Sequence, residues 1–450
     1  MQPDHDTILA PATASGGALA VVRISGPDAL RLCDRIFRGR QPLAEAAGYT
    51  VHYGRIAEGE RLVDEVLATV FRAPHSYTGE DTVELACHGS AHIVAEVQRL
   101  LIEAGGRMAE PGEFTLRAYF AGKLDLSQAE AVADLIAASS RAEHALATNQ
   151  LRGGYSAALD ALRDRLLHLT AMLELELDFG EEEVEFADRT ELQRLMEQIG
   201  AEIGRLEASF ALGNALKEGV PVAIVGAPNA GKSTLLNRLL DEDRAIVSEI
   251  AGTTRDVIEE QLEIAGIRFR FVDTAGLRTT GDRLEQLGIE RTLQRIAQAR
   301  IVVRLVAAEC FTGELPAPEF ALPEGARLLT VVSKIDRRPD VALPEGVIAL
   351  SAKEGTGIEA LRQALVAEVG ADPLYRGETV VSNGRHYAAL HAAHAALDRA
   401  VAGLQEGLPT DLLSEEIRTV IERLGAITGR GVILSEEVLA TIFSKFCIGK

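Results

Sequence analysis

The stretch Gly226-Ala227-Pro228-Asn229-Ala230-Gly231-Lys232-Ser233 follows the pattern GxxxxGK[ST], after a predicted strand and before the helical run Thr234 to Leu240. These are the residue types that phosphate chemistry needs. Glycines let backbone N–H groups wrap the phosphates, Lys232 reaches the β/γ oxygens, and the Ser233 hydroxyl can ligate Mg²⁺. The bland alternative is a chance glycine-rich turn. The order of four downstream strings weighs against it.

Each of those strings is similar to a nucleotide-contacting segment of GTPases. Gly252-Thr253-Thr254-Arg255-Asp256 comes first, with Thr254 placed to close on Mg²⁺. Asp273-Thr274-Ala275-Gly276 ends a strand, where the aspartate serves the magnesium shell and the glycine N–H senses the γ-phosphate. Ser333-Lys334-Ile335-Asp336 stands where GTPases carry Asn-Lys-x-Asp, and Ser351-Ala352-Lys353 follows another strand and supports the base. The Asp336 carboxylate can take two adjacent N–H donors of guanine, an arrangement that adenine lacks. Asp336 therefore predicts GTP over ATP, while Ser333 departs from the usual asparagine, which braces this loop against the phosphate loop and touches the guanine edge, and predicts weaker nucleotide affinity.

Alternating strands and helices must hold these strings in place. Val222–Val225, Phe269–Val272, Ile301–Val303 and Leu329–Val332 read as strands separated by helical stretches, which predicts an α/β module with a mainly parallel sheet over 216–374. Residues 1–120 mix short apolar strands such as Leu19–Val22 and Val66–Val70 with Gly/Pro turns, an α+β domain. Helical stripes flank the module. Leu162, Leu166, Leu169, Leu173 and Leu177 lie on one side within 121–215, and Leu390, Leu397, Val401 and Leu404 on the other within 375–450. The fold class expected is therefore multidomain α+β and α/β, with the P-loop GTPase domain inserted into a discontinuous helical domain. Asp178-Phe179-Gly180 imitates a kinase magnesium motif but ends a helical stripe with no HRD loop before it, and reads as solvated surface.

Bulk properties exclude several classes. With 450 residues, 47% hydrophobic and 25% charged, the chain reads as a soluble protein of two or three domains. No apolar run nears the ~20 residues of a membrane span. Asp4 and Asp6 stand where a signal peptide would be basic, so no export is expected. Four scattered cysteines fit a reducing cytoplasm, and a net charge of −21 argues against non-specific coating of nucleic acid.

Strings along the whole chain carry a more specific likeness. They include Asp6-Thr7-Ile8, Val22-Arg23-Ile24-Ser25-Gly26, Tyr77-Thr78-Gly79-Glu80-Asp81, Pro111-Gly112-Glu113-Phe114-Thr115 and Gly122-Lys123-Leu124-Asp125-Leu126-Ser127-Gln128-Ala129-Glu130. Asp273 to Arg278 and the terminal Phe446-Cys447-Ile448-Gly449-Lys450 complete the set. The chain resembles the MnmE (TrmE) family of bacterial tRNA-modification GTPases, in the potassium-activated TrmE-Era-EngA-like group. That resemblance implies GTP contacts from Asn229 to Thr234, over Ser248-Glu249-Ile250-Ala251-Gly252-Thr253-Thr254, and over Asp273-Thr274-Ala275-Gly276. It implies further contacts at Ser333, Lys334, Asp336, Ser351, Ala352 and Lys353. Mg²⁺ would sit on Ser233 and Thr254, and K⁺ on Asn229, Ser248, Ile250 and Thr253. Glu285 would orient the attacking water, while Lys232 serves the transferring phosphate.

By the same resemblance, the N-terminal domain is an aminomethyltransferase-like fold. It would bind 5-formyltetrahydrofolate or a related tetrahydrofolate through Arg23, Glu84, Lys123 and Lys450, and form a homodimer. An FAD-containing partner protein would join it in a heterotetramer acting on tRNA, adding an aminomethyl or carboxymethylaminomethyl group to carbon 5 of the wobble uridine. Cys447 is either a thiol in that modification or a small packing group. A prenylation box fits the tail poorly, with Gly449 at an aliphatic position and Lys450 last. The alternatives are a ribosome-assembly GTPase without modification chemistry, or a folate-binding scaffold with a passive G domain. The first would normally carry an RNA-binding module, and a helical stripe occupies that part of the chain instead.

Overall fold

The computed structural model describes residues 6–14, 16–178, 189–243, 260–272, 296–315, 317–318, 320–323, 325–432, 434–444, 446 and 449. Two compact units emerge. One comprises Met1–Ile136, Gln150–Val184 and Thr410–Lys450; the other comprises Ala137–Asn149 and Glu185–Pro409.

The first unit is built on a seven-stranded sheet in the order Phe37–Gly39, Thr50–Glu58, Arg61–Phe71, Thr82–His88, Leu19–Ser25, Ile8–Pro11, Arg107–Met108. All neighbours run antiparallel except the last pair. Alternation decides the faces: Val22 and Ile24 enter a core with Val83, Leu85 and the helices Ala29–Ile36 and Ala91–Glu103, while Arg23 and Glu84 face the other way. The helix Gly154–Asp178 packs on Thr410–Thr428, burying Leu162, Leu166 and Leu169 and, on its partner, Ile417, Val420 and Leu424.

A charged cluster ties Ile8–Pro11 to the helix Glu113–Phe120. The Arg117 side chain, 1% exposed, meets Asp6 at 2.5 Å, Glu80 at 3.1 Å and Glu113 at 3.1 Å. Arg107 adds contacts to Asp6 at 2.6 Å and Glu113 at 2.7 Å. Burial pushes the Asp6 and Glu113 carboxyls up, but hydrogen bonds and charge from Arg107 and Arg117 outweigh it and hold both below their usual range. A depressed carboxylate stabilises the fold above its unfolded pKa, and that contribution fades as pH falls through the folded value. The melting temperature of the full chain should therefore drop as pH is lowered below about 4. Thermal melts followed by circular dichroism at pH 3 and pH 6 measure this, and equal values at both would refute it.

The second unit holds a six-stranded sheet in the order Ile348–Leu350, Arg327–Ser333, Ile301–Ala307, Val220–Gly226, Ile267–Val272, Glu260–Ile264. It is parallel except for the edge strand Glu260–Ile264, which turns back through Ala265 and Gly266, both at positive φ, as a tight hairpin requires. The strand order reverses around Val220–Gly226, and such a reversal opens a crevice at the carboxyl ends of the strands. The helix Arg189–Glu218 packs on Gly384–Gln405 through Leu192, Ile199, Ile203, Leu390 and Leu397. The α/β alternation and the presence of helices over both sets of stripes agree with the sequence reading.

Candidate functional site

In the second unit, the loop 227–231 joins the strand Val220–Gly226 to the helix Lys232–Asp243. A Cβ on Gly226 would fall 2.4 Å from the Leu305 carbonyl oxygen, so only glycine lets the loop leave the strand here. Asn229 and Gly231 both take positive φ, and the Ala230 N–H donates to the Ala227 carbonyl at 3.1 Å. The Lys232 ammonium donates to the carbonyls of Gly226 at 2.8 Å and Ala227 at 3.0 Å. Half-burial lowers its pKa from the ordinary lysine value. Ser233 and Thr234 follow in the first turn, where helix geometry leaves N–H groups free for an anion.

Ser333 ends its parallel strand buried, and its hydroxyl donates to the Ala230 carbonyl at 2.6 Å. The brace against the phosphate loop thus survives the loss of the usual asparagine, and the shorter side chain spends its one proton on it. Lys334 follows in the left-handed region at φ 58°, a strained backbone of the kind that collects at functional sites. Asp336 is half-buried, and its Oδ1 accepts from the Ser351 hydroxyl at 2.7 Å. That hydrogen bond, with the charges of Lys353 and Arg337, holds its carboxyl below the usual range. One oxygen is anchored, and the carboxylate stays ionised to accept donors. The Ser351-Ala352-Lys353 loop is set by the Ser351 N–H donating to Thr356 at 2.9 Å. Arg238, from the helix after the phosphate loop, lies beside Gly355 of that loop; no motif in the sequence marked it.

The structure therefore gathers the phosphate loop, the Ser333–Asp336 string and the Ser351 loop at the carboxyl ends of one sheet. Ser248, Glu249, Ile250, Ala251, Gly252, Thr253, Thr254, Asp273, Thr274, Ala275, Gly276 and Glu285 lie outside the described residues, as do Cys447 and Lys450. Asp273 directly follows the strand Ile267–Val272, whose Val272 pairs in register with Ala223 of the central strand.

In the first unit, Arg23 and Glu84 are direct cross-strand partners, with Nε to Oε1 at 2.9 Å. The guanidinium also lies 5.5 Å from the Tyr77 ring centroid and 5.7 Å from that of Phe114. Its Nη1 reaches the Gly449 carbonyl at 3.4 Å. A Cβ on Gly449 would meet the Pro11 carbonyl oxygen at 2.2 Å, so Gly449 sits close against the strand Ile8–Pro11. Phe446 is buried against Phe443, Leu439 and Leu126. Lys123 is exposed beside Gly79, and no hydrogen bond among the described residues joins it to Arg23 or Glu84. Sequence reasoning missed Tyr77 and Phe114 as ring partners of Arg23, though both lie in strings that carried the family resemblance.

Comparisons with known proteins agree with this picture. The family described as "GTP-binding protein TrmE N-terminus" matches residues 7–123, and "MnmE helical domain" matches residues 126–447. A Bacteroides fragilis "tRNA modification GTPase MnmE" is 49% identical over 99% of this chain and 100% of its own length. A Bacteroides thetaiotaomicron protein of the same description is 48% identical, over 99% of this chain and 100% of its own. One from Cytophaga hutchinsonii is 47% identical, over 99% of this chain and 98% of its own. A solved structure of Aquifex aeolicus Era bound to GDP and aluminium fluoride aligns with 39% of this chain and 65% of its own at 26% identity, with a TM-score of 0.25, too low to carry a structural argument.

Proposed function

This chain belongs to the MnmE family of tRNA modification GTPases and is a GTP hydrolase in tRNA modification; we propose that it is potassium-dependent and adds an aminomethyl or carboxymethylaminomethyl group to carbon 5 of the wobble uridine, with an FAD-containing partner. The domains proposed are a folate-binding domain at 1–120, a helical domain at 121–215 and 375–450, and a G domain at 216–374. The observation that carries the reading is the convergence of Lys232, the Ser333 brace and the Ser351-anchored Asp336 at the carboxyl ends of one parallel sheet.

The donor sets suit the ions proposed. Mg²⁺ takes hydroxyl and carboxylate oxygens, here Ser233, Thr254 and, in its outer shell, Asp273. The Asn229 amide, on an exposed left-handed residue, makes no hydrogen bond among the described residues and offers its oxygen to K⁺ together with Ser248, Ile250 and Thr253. Bound there, the two cations neutralise charge on the transferring phosphoryl group. Lys232 orients the phosphates, and Glu285, beyond the Asp273 string, holds the attacking water.

The face bearing Arg23 and Glu84 suits a tetrahydrofolate. A carboxylate accepts paired N–H donors of a pterin, the guanidinium and Lys123 attract a polyanionic tail, and Lys450 adds a cation from the terminus. The ligand must exchange partners with the existing Arg23–Glu84 pair. Homodimer formation is supported by apolar side chains on the hairpin Thr50–Glu58/Arg61–Phe71, where Val51 is 59%, Tyr53 61% and its cross-strand partner Leu67 47% exposed. No helix among the described residues is long and apolar enough to cross a membrane, and we place the activity in the cytoplasm, where its tRNA substrate is.

Two measurements test the reading. GTP turnover should rise in K⁺ over Na⁺; a flat response favours the passive scaffold. Mass analysis of wobble uridines from a deletion strain carrying this gene should show the modification restored. Unmodified uridine, with ribosome assembly rescued, would instead mark a ribosome-assembly GTPase.

A further inference from the structure

The hairpin Glu260–Ile264/Ile267–Val272 links the two switch strings in sequence, with Gly252–Asp256 before it and Asp273 directly after it. Its turn is seated on residues 139–146. The Gly266 carbonyl accepts the Ala142 N–H at 2.9 Å, satisfying a first-turn donor of the helix Arg141–Leu151. A Cβ on Gly266 would come within 2.8 Å of Arg141 Cβ, so this close seat tolerates only glycine.

Arg268 fastens the seat. Its Nη1 donates to the Ser139 hydroxyl at 3.1 Å and its Nη2 to the Lys217 carbonyl at 2.9 Å. Its Nε lies 3.0 Å from Glu143 Oε1, a charge contact without the alignment of a hydrogen bond. Glu143 is only 8% exposed and also accepts from the Ser139 N–H at 2.8 Å and the Ser140 hydroxyl at 3.0 Å. Beneath them, Ala142 and Leu146 share one core with Ile264, Ile267 and Phe269. Residues 137–149 therefore belong to the unit of the GTPase sheet. The chain before them, through Ile136, and after them, from Gln150, belongs to the unit that bears Arg23 and Glu84.

We propose that Arg268 is a positioning residue for the modification step: through Ser139 and Glu143 it locks residues 137–149 to the hairpin between the switches, so that the nucleotide state is passed along the chain to the folate-bearing unit. The physical basis is the strength of the attachment. Two aligned hydrogen bonds, a half-buried charge pair and a shared apolar core make the hairpin and the strap move as one body, and coupling needs such a connected element. The lock touches neither phosphate nor base, so hydrolysis does not require it. The proposal rests on the proposed function, in which GTP hydrolysis drives a conformational cycle instead of the carbon transfer itself.

The test uses the full chain carrying Arg268→Gln, Arg268→Lys or Ser139→Ala, read both by potassium-stimulated GTP turnover and by wobble modification in the complemented deletion strain. Arg268→Gln should keep turnover within about twofold, as for a substitution away from the reacting groups. Its modification should fall at least about fivefold, the low end of measured couplings between sites. Arg268→Lys keeps the charge beside Glu143 and should recover most of the product, and Ser139→Ala should lose product in the same direction but less. Full modification by Arg268→Gln overturns the proposal, as does a parallel loss of turnover and product. If Arg268→Gln fails to fold, Ser139→Ala with unchanged product overturns it alone. A wild-type chain that restores no modification would sink the proposed function instead.

Discussion

Lys232→Ala is expected to weaken GTP binding and turnover together, by about a hundredfold to ten-thousandfold. Two charge-assisted hydrogen bonds to phosphate oxygens are lost, each about 1.5–3 kcal/mol, and about 1.4 kcal/mol corresponds to a factor of ten. The ammonium already lies over the loop, held by two carbonyls, so little ordering is needed when phosphate replaces them. Half-burial lowers its pKa, and an anionic ligand at that position relieves the cost of keeping it charged. Equilibrium titration with a fluorescent GTP analogue, alongside phosphate release, reads both quantities. Affinity retained within a few-fold would show that the lysine has no part in phosphate binding. Glu285→Ala supplies the contrast: in the water-orienting role proposed for it, hydrolysis should fall while affinity stays near that of the wild type, because such a carboxylate acts only after the nucleotide is bound.

Arg117→Met should cost the first unit about 1–3 kcal/mol, because it takes the cation from the half-buried Glu80 and one of two cations from Asp6 and Glu113. Asp6 and Glu113 then keep Arg107, while Glu80 loses its guanidinium and keeps the Ser25 hydroxyl. Against a total stability of about 5–15 kcal/mol, such a loss is substantial. The same helix carries Phe114, one of the rings over Arg23, so under the proposed folate role of that face the variant should also bind tetrahydrofolate less tightly. Among the described residues the Arg117 Nε has no hydrogen-bond partner, so part of the wild-type guanidinium is already unsatisfied and the cost belongs at the lower end of that range. Urea unfolding of the full chain measures it; a midpoint unchanged from wild type would show that the cluster contributes nothing net.

Local chemistry was legible in the sequence because it is written in short runs. GxxxxGK[ST], the aspartate strings and the alternation of apolar strands with helical stripes each need only neighbouring residues, and period and propensity act over that range. The α/β module and the helical stripes are therefore readable from residue order alone. Departures from pattern were harder. Ser333 reads as the loss of a brace, yet its hydroxyl reaches the Ala230 carbonyl because the strand Arg327–Ser333 ends beside the phosphate loop, a distance set by sheet order.

What only the tertiary structure decided is which distant residues meet. Register places Arg23 opposite Glu84; a slip of one residue in either strand would turn that strand's charged side chain into the core and part the pair. Tyr77, Phe114 and the Gly449 carbonyl reach the same guanidinium from three separate parts of the chain. Helix stripes announce an apolar face but not its partner, and packing alone joined Gly154–Asp178 to Thr410–Thr428 and Arg189–Glu218 to Gly384–Gln405. Residues 137–149 look in sequence like one more stretch of the helical region, and their attachment to Gly266 and Arg268 depends on a hairpin more than a hundred residues away. Residue types fix which reactions are available, because that chemistry resides in single side chains. Their assembly depends on register and topology, which are properties of the whole chain.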